Sequence, residues 1–217
     1  MKLRFAEEIT LLMLNDENGE FVRVPHWSMQ CAYAAAVLMD LALEYRIDTD
    51  LKRLVLLDPT PVGDELLDPV LAQIAESTQT HDTRYWIDEL AERAEDLREQ
   101  CLSRLVEHGV LKREADRFLW VFQSRRYPIV DGEPEREVKL RIMEVLFGND
   151  IPDPRDVVLL CLVDSCGILR ELLTDRELER VSERIEQVRK LDLIGQAMSK
   201  AVWDIQSSIT YALHPSF

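Results

Sequence analysis

Between Ser28 and Tyr45 the chain runs S-M-Q-C-A-Y-A-A-A-V-L-M-D-L-A-L-E-Y, with Asp40 as its only charge before Glu44. Ala32, Ala34, Ala35 and Ala36 give this segment high helix propensity and let neighbours approach closely. A helix that is apolar around most of its circumference has no face to leave in water, so it belongs at the centre of a core. The rest of the chain has to wrap it. Seven Gly and nine Pro in 217 residues are too few for a turn-dense all-β protein. The fold class expected is therefore mostly α, one globular helical domain over residues 1–217 with one or two small peripheral β-hairpins.

The other elements follow from periodicity and punctuation. Leu3 to Leu14 reads as a helix ended by the turn Asn15-Asp16-Glu17-Asn18-Gly19, and Phe21 to Val24 as a short strand stopped by Pro25. Ser28 is the expected N-cap of the apolar helix. A first hairpin is expected around Thr49 to Lys52, with Arg53 to Leu57 as its second strand. Apolar residues at Ile87, Leu90, Ala94, Leu97, Cys101 and Leu105 predict one long helix, or two joined by a bend, from Thr83 as cap to His108. Val110-Leu111 and Phe118 to Phe122 then flank a turn over Lys112 to Arg117. Helices are expected over Glu135 to Phe147, Val157 to Leu173 (after the cap Asp153-Pro154), Asp175 to Leu191 and Ile194 to Leu213.

The stretch Leu54 to Leu71, L-V-L-L-D-P-T-P-V-G-D-E-L-L-D-P-V-L, joins the helix–hairpin unit to the second half of the chain. Asp58 is expected to serve the turn, Asp64 to cap a helix running to Glu76, and Asp68 to lie on a solvated face. Read as a catalytic carboxylate cluster these acids are less convincing than as turn and cap residues.

The net charge of −15 is uneven. Residues 1–83 hold 6 Lys/Arg against 15 Asp/Glu, residues 84–126 hold 9 against 9, and residues 127–217 hold 11 against 17. An acidic chain is repelled by phosphate backbones unless its cations converge locally, so the balanced middle is where an anion site is sought. The two helix–hairpin units suggest a winged helix, but the helix before the second hairpin interleaves seven acids from Asp88 to Glu107, which argues against nucleic acid. No apolar run nears the ~20 residues that span a bilayer, and Glu7-Glu8 interrupt any signal-like segment, so a cytoplasmic, at most peripheral, protein is expected. Cys31, Cys101, Cys161 and Cys166 form no C-x-x-C pair and read as buried thiols; the four histidines lack ligand spacing. No nucleotide-binding, metalloprotease or hydrolase motif occurs, so neither an enzyme, a metal nor a cofactor is expected.

Several stretches, in order, resemble one family. They are Glu7-Glu8 with Leu11-Leu12, Val37 to Leu43 with Arg46-Ile47, Asp58 to Asp68, Leu105-Val106-Glu107-His108-Gly109-Val110-Leu111, Arg126-Tyr127-Pro128 and the apolar segment Val157 to Leu173. The chain resembles the Golgi phosphoprotein 3 (GPP34) family along nearly its whole length, in a prokaryotic-type minimal form. That resemblance implies a helical domain with peripheral hairpins. It also implies a peripheral membrane adaptor that reads phosphatidylinositol 4-phosphate and, in eukaryotes, holds glycosyltransferase tails. The headgroup pocket it implies uses a Trp near the start of the second helix, an Arg within that helix and two basic residues before L-V-E-x-G-V-L. Here Trp27 and Arg98 match two of these positions, whereas Ala34 and Glu95 occupy the others. Arg84, Arg125 and Arg126 offer an alternative basic patch. Against lipid binding stands a second reading, a soluble adaptor that binds another protein or a second copy through an aromatic hairpin carrying Trp120 and Phe122.

Overall fold

The computed structural model describes residues 2–15, 19–49, 53–115 and 125–213, and at 114, 115, 125, 126, 193 and 209–213 the backbone alone. The fold is mostly α with small peripheral sheets. In chain order come α1 (Phe5–Leu12), α2 (His26–Leu43), β1 (Ile47–Thr49), β2 (Leu54–Leu56), α3 (Asp68–Glu76), α4 (Thr83–Ala91) and α5 (Ala94–Glu107). Then follow β3 (Glu114–Ala115), β4 (Arg125–Arg126), α6 (Glu133–Phe147), α7 (Pro154–Ser165), α8 (Leu169–Leu172), α9 (Asp175–Val188) and α10 (Leu193–Leu213). Strands β1 and β2 pair antiparallel with Ile47 opposite Leu56, and β3 and β4 with Glu114 opposite Arg126.

The apolar helix is central. Almost every residue of α2 from Ser28 to Ala42 is buried, and it packs against α1, α4, α5, α7 and α10. Helix α7 is its counterpart in the second half, with Val157 to Val163 all buried. All four cysteines lie in this interior, and burial pushes the Cys31 thiol up to about 12.

Local chemistry moved several expected boundaries. Phe21 to Val24 is not a strand: only an isolated bridge joins Phe21 to Leu14, and Val24 turns back to donate its N–H to the Val22 carbonyl at 3.0 Å. Ser28 is not a cap; Pro25 already holds extended backbone ahead of His26, and its carbonyl accepts the Met29 N–H. Asp82, not Thr83, caps α4, accepting the Tyr85 N–H at 2.8 Å, while the Thr83 hydroxyl lies 2.7 Å from that of Thr49. The long helix is two, broken at Glu92 and Arg93. Residues expected to form the second hairpin's turn instead supply β3, and Phe118 to Phe122, with Trp120, lies outside the described residues. Helix α7 stops at Ser165 rather than running to Leu173. Gly167 takes φ +75°, its N–H donates to Asp164 and that of Ile168 to Val163, a stop motif that satisfies the orphan carbonyls and bends the chain into α8. Tyr45 ends α2 the same way at φ 55°, a position that normally falls to Gly, with Arg46 donating back to Leu41.

The acids of the motif turn are structural, and two of them differ from expectation. Helix α3 begins at Asp68, four residues after Asp64. Asp68 is no surface acid: its carboxylate accepts the N–H groups of Val62 (2.7 Å), Gly63 (2.9 Å) and Asp64 (3.1 Å) and so closes the turn. Asp64 caps only the opening turn, through the Leu66 N–H, and spends its remaining capacity on Arg4 and Arg104, each at 2.9 Å. Asp58 serves the turn as expected, accepting the Thr60 N–H.

Asp64 is one node of a larger network around α1. Glu7 and Glu8 are each 1% exposed, although adjacent in sequence. Glu7 accepts the Arg4 backbone N–H at 2.8 Å and pairs with Arg104 at 3.2 Å. Glu8 pairs with Arg141 at 2.9 Å and Arg155 at 3.2 Å. Asp40 of α2 accepts the Phe5 N–H at 2.7 Å, satisfying a free donor at the start of α1, and faces Arg155 at 3.5 Å. Buried carboxylates are tolerated only when paired and hydrogen-bonded, and here arginines from α5, α6 and α7 supply that. Burial alone would raise Asp64, but the Leu66 N–H and the two arginines hold it below the usual carboxylate range. Asp40, with one oxygen lacking a hydrogen-bond donor, is pushed up by burial to about 7 despite Arg155.

Candidate functional site

Arg98 leaves α5 at its second turn with its side chain mostly covered and its buried Nε without an acceptor. Its guanidinium carbon sits 5.2 Å from the Phe21 ring centroid, and Nη1 lies 3.4 Å from the Met29 sulfur. Its counter-ion is Glu95, one turn earlier on the same helix. Ala34 is fully buried in α2, on the interior face of the helix. The position that would carry the helix arginine therefore supplies no charge to the surface, and the acid at 95 occupies the basic residue that remains.

Trp27 lies two residues before Met29 on α2. It is half-buried in the first turn of α2 and lines a cleft that does not include Arg98. Arg84 is committed to α10, donating to the Ser208 hydroxyl at 2.8 Å, with Asp88 at 3.7 Å. Arg125 and Arg126 form strand β4, and their side chains lie outside the described residues. Trp27 thus lines the cleft, Arg98 lies against Phe21 and Met29, and Arg84 against Ser208 of α10.

The cleft beside Trp27 has a volume of about 1030 Å³ and is open to solvent on one side. The start of α2, the α7–α8 bend, α9 and α10 build it. Val24, Leu169 and Trp203 add apolar wall to Trp27, and Arg170, Arg189 and Lys200 add positive charge against Asp164 and Glu171. Arg189 is fixed by Asp164 and by Glu186 at 2.9 Å, while its buried Nε has no acceptor. Burial raises the Asp164 carboxyl even against this partner. Lys200 pairs with Asp204 at 3.2 Å along α10. Arg170 is exposed and forms no ion pair among the described residues. None of the cleft's cations, nor Trp203, is apparent from motif reading. The available signal was Trp203 itself, a large apolar ring at the position of α10 that shares a face with Gln196, Ser199 and Lys200 rather than with Val202 and Ile205.

Fold and surface together describe a helical domain built around one apolar helix, with hairpins at its edge. Among the described residues no helix is long and apolar enough to cross a membrane. The family model of Golgi phosphoprotein 3 (GPP34) matches residues 5–205, from the start of α1 to within α10, and the chain belongs to that family. The charge network, apart from Arg4, and Arg98 lie within the matched span, as does most of the cleft.

Proposed function

We propose that the chain is a non-enzymatic module that docks peripherally, from the cytoplasmic side, on membranes bearing an anionic phospholipid, phosphatidylinositol 4-phosphate or a close relative. Trp27 and Arg98 are the headgroup contacts, with Arg84, Arg125 and Arg126 as secondary ones. Membership of the Golgi phosphoprotein 3 family over residues 5–205 supports this reading. The observation that carries it is Arg98: it keeps the basic residue at a headgroup position, and its side chain is 24% exposed. A guanidinium binds phosphate through two parallel hydrogen bonds, and an indole favours the bilayer interface. Glu95 weakens the site because a phosphate has to displace it from Arg98. Co-sedimentation with phosphatidylcholine vesicles, with and without phosphatidylinositol 4-phosphate, tests the proposal. Recovery should require the phosphoinositide, fall with Arg98→Glu and rise with Glu95→Arg. Equal recovery on both vesicles overturns it.

The Glu95–Arg98 pair also favours a second reading, an adaptor that holds a protein rather than a lipid, because it neutralises the one retained headgroup cation. That adaptor would show no vesicle preference and would co-purify with a partner or self-associate, with loss of the complex on Trp120→Ala or Phe122→Ala.

A further inference from the structure

We propose that the cleft between α2, the α7–α8 bend, α9 and α10 is a second binding site, for an anionic amphiphile: an apolar chain or ring carrying one acidic head. The site shares Trp27 with the headgroup contact proposed above but goes beyond it, since Arg98 does not line it. Its volume of about 1030 Å³ is that of a cleft able to enclose a whole small molecule. The apolar body lies against Trp27, Leu169 and Trp203, and the acidic head meets Arg170 and Lys200.

Three observations carry this assignment. First, in a chain of net charge −15 the cleft lining holds three cations and two acids. Asp164 and Arg189 pair with each other, which leaves Arg170 and Lys200 against Glu171. Second, Arg170 is left without an ion pair among the described residues, and Lys200 has only an exposed pair one turn away, the kind worth little. Arg170 pulls on Asp164 only at longer range, and positive charge not held in a close ion pair, beside an apolar wall, selects an anion and disfavours a cation of the same shape. Third, Trp203 is 65% exposed at the cleft edge. Helix α10 already buries Ala201, Val202 and Ile205, so the indole contributes nothing to the core it could not leave to a polar residue. Indoles at a rim, apolar on the face and polar at the N–H, suit a ligand that is itself amphipathic.

The experiment uses one tail with three heads. Octanoate, octylammonium and octanol are titrated into the intact 217-residue chain, with binding read by equilibrium dialysis and by tryptophan fluorescence. Octanoate should bind most tightly. Arg170→Glu should weaken it about tenfold, as expected for loss of one charge-assisted contact, and narrow or reverse the preference over octylammonium. Trp203→Ala should weaken octanoate and octanol alike, because it acts on the tail. Both positions are exposed, and unfolding curves superimposable on the parent confirm that the variants are folded. Arg98→Glu should leave octanoate binding unchanged, which separates this site from the headgroup contact. A parallel arm with phosphatidylcholine–phosphatidylglycerol vesicles identifies the source. Recovery lost on Arg170→Glu means the amphiphile is a bilayer lipid, and recovery unchanged while octanoate binding falls means it is a soluble one. Equal affinity for octanoate and octylammonium, or octanoate binding indifferent to Arg170→Glu, overturns the proposal.

Discussion

The charges around α1 and those around the cleft are used in opposite ways. At α1, Glu7, Glu8, Asp40 and Asp64 are each matched by arginines from other helices and shielded from water. At the cleft, Arg170 forms no ion pair among the described residues and Lys200 pairs only with an exposed neighbour on its own helix. The first region holds elements together; the second leaves charge available. The comparison shows where the family's sequence signature is spent. Glu7-Glu8 and the Asp58–Asp68 turn, its most distinctive segments, are consumed in building the fold. Residues that recognise a ligand therefore have to be sought outside these two segments.

The contrast can be broken most sharply by Glu8→Ala. It leaves Arg141 with Asp156 alone and Arg155 with Asp40 and the Leu3 carbonyl, and removing one partner of a buried pair costs up to about 3–5 kcal/mol. Trp203→Ala, at the cleft, should stay within about 0.5 kcal/mol of the parent. Urea unfolding midpoints of the two variants test the comparison, which fails if they are similarly destabilised. Asp64→Asn keeps the shape of the node but removes its charge toward Arg4 and Arg104, for an expected loss of about 1–3 kcal/mol by the same measurement.

A pH series sharpens the comparison further. Asp40 titrates near 7 in the fold, above the 3.8 of the unfolded chain, so the native state keeps its proton where the unfolded state has lost it. This carboxyl's contribution to stability is complete below about pH 4 and is lost as the pH rises to about 7, with a slope of at most about 1.4 kcal/mol per pH unit. Asp64 has the opposite sign, contributing above its unfolded value and losing that contribution as acid protonates it. Asp40→Asn should flatten the profile between pH 4 and 7 while leaving the acid limb in place; an unchanged profile would remove Asp40 as its source. The smallest effect is expected at Tyr45, where φ is 55°. Tyr45→Gly relieves a left-handed backbone and should stabilise the protein by up to about 1 kcal/mol, read as a higher unfolding midpoint.

Local signals carried most of the architecture. The alanine-rich run announced α2 as the centre, and Asp153-Pro154 marked the start of α7, where Asp153 accepts the Arg155 N–H at 2.8 Å. Seven residues of continuous aliphatic character did not reveal that α7 ends at Ser165, because the stop depends on Gly167 adopting positive φ, a choice that hydrophobic periodicity does not encode. Buried charge was the least legible feature. An acid pair in a sequence reads as surface, and the partners that overturn this lie 97 residues away for Glu7 and 133 for Glu8. The candidate binding residues were legible only as types. Spacing places Glu95 and Arg98 on one helix face, but nothing in the sequence assigns Trp27 to a cleft whose other walls come from residues 164–206.

The buried acid pair also sets an order of assembly. Helix α1 leaves the ribosome ahead of Arg104, Arg141 and Arg155, which neutralise Glu7 and Glu8. Until Arg155 is available, seating α1 against α2 would bury a carboxylate without its full set of partners, so the N-terminal helix is synthesised early and locked late. A fragment ending at Gly109 should remain open to protease at α1, whereas one extended past α7 should begin to protect it. In the growing chain the acid pair should hold α1 out of the core until α7, which carries the last of its partners, exists to receive it.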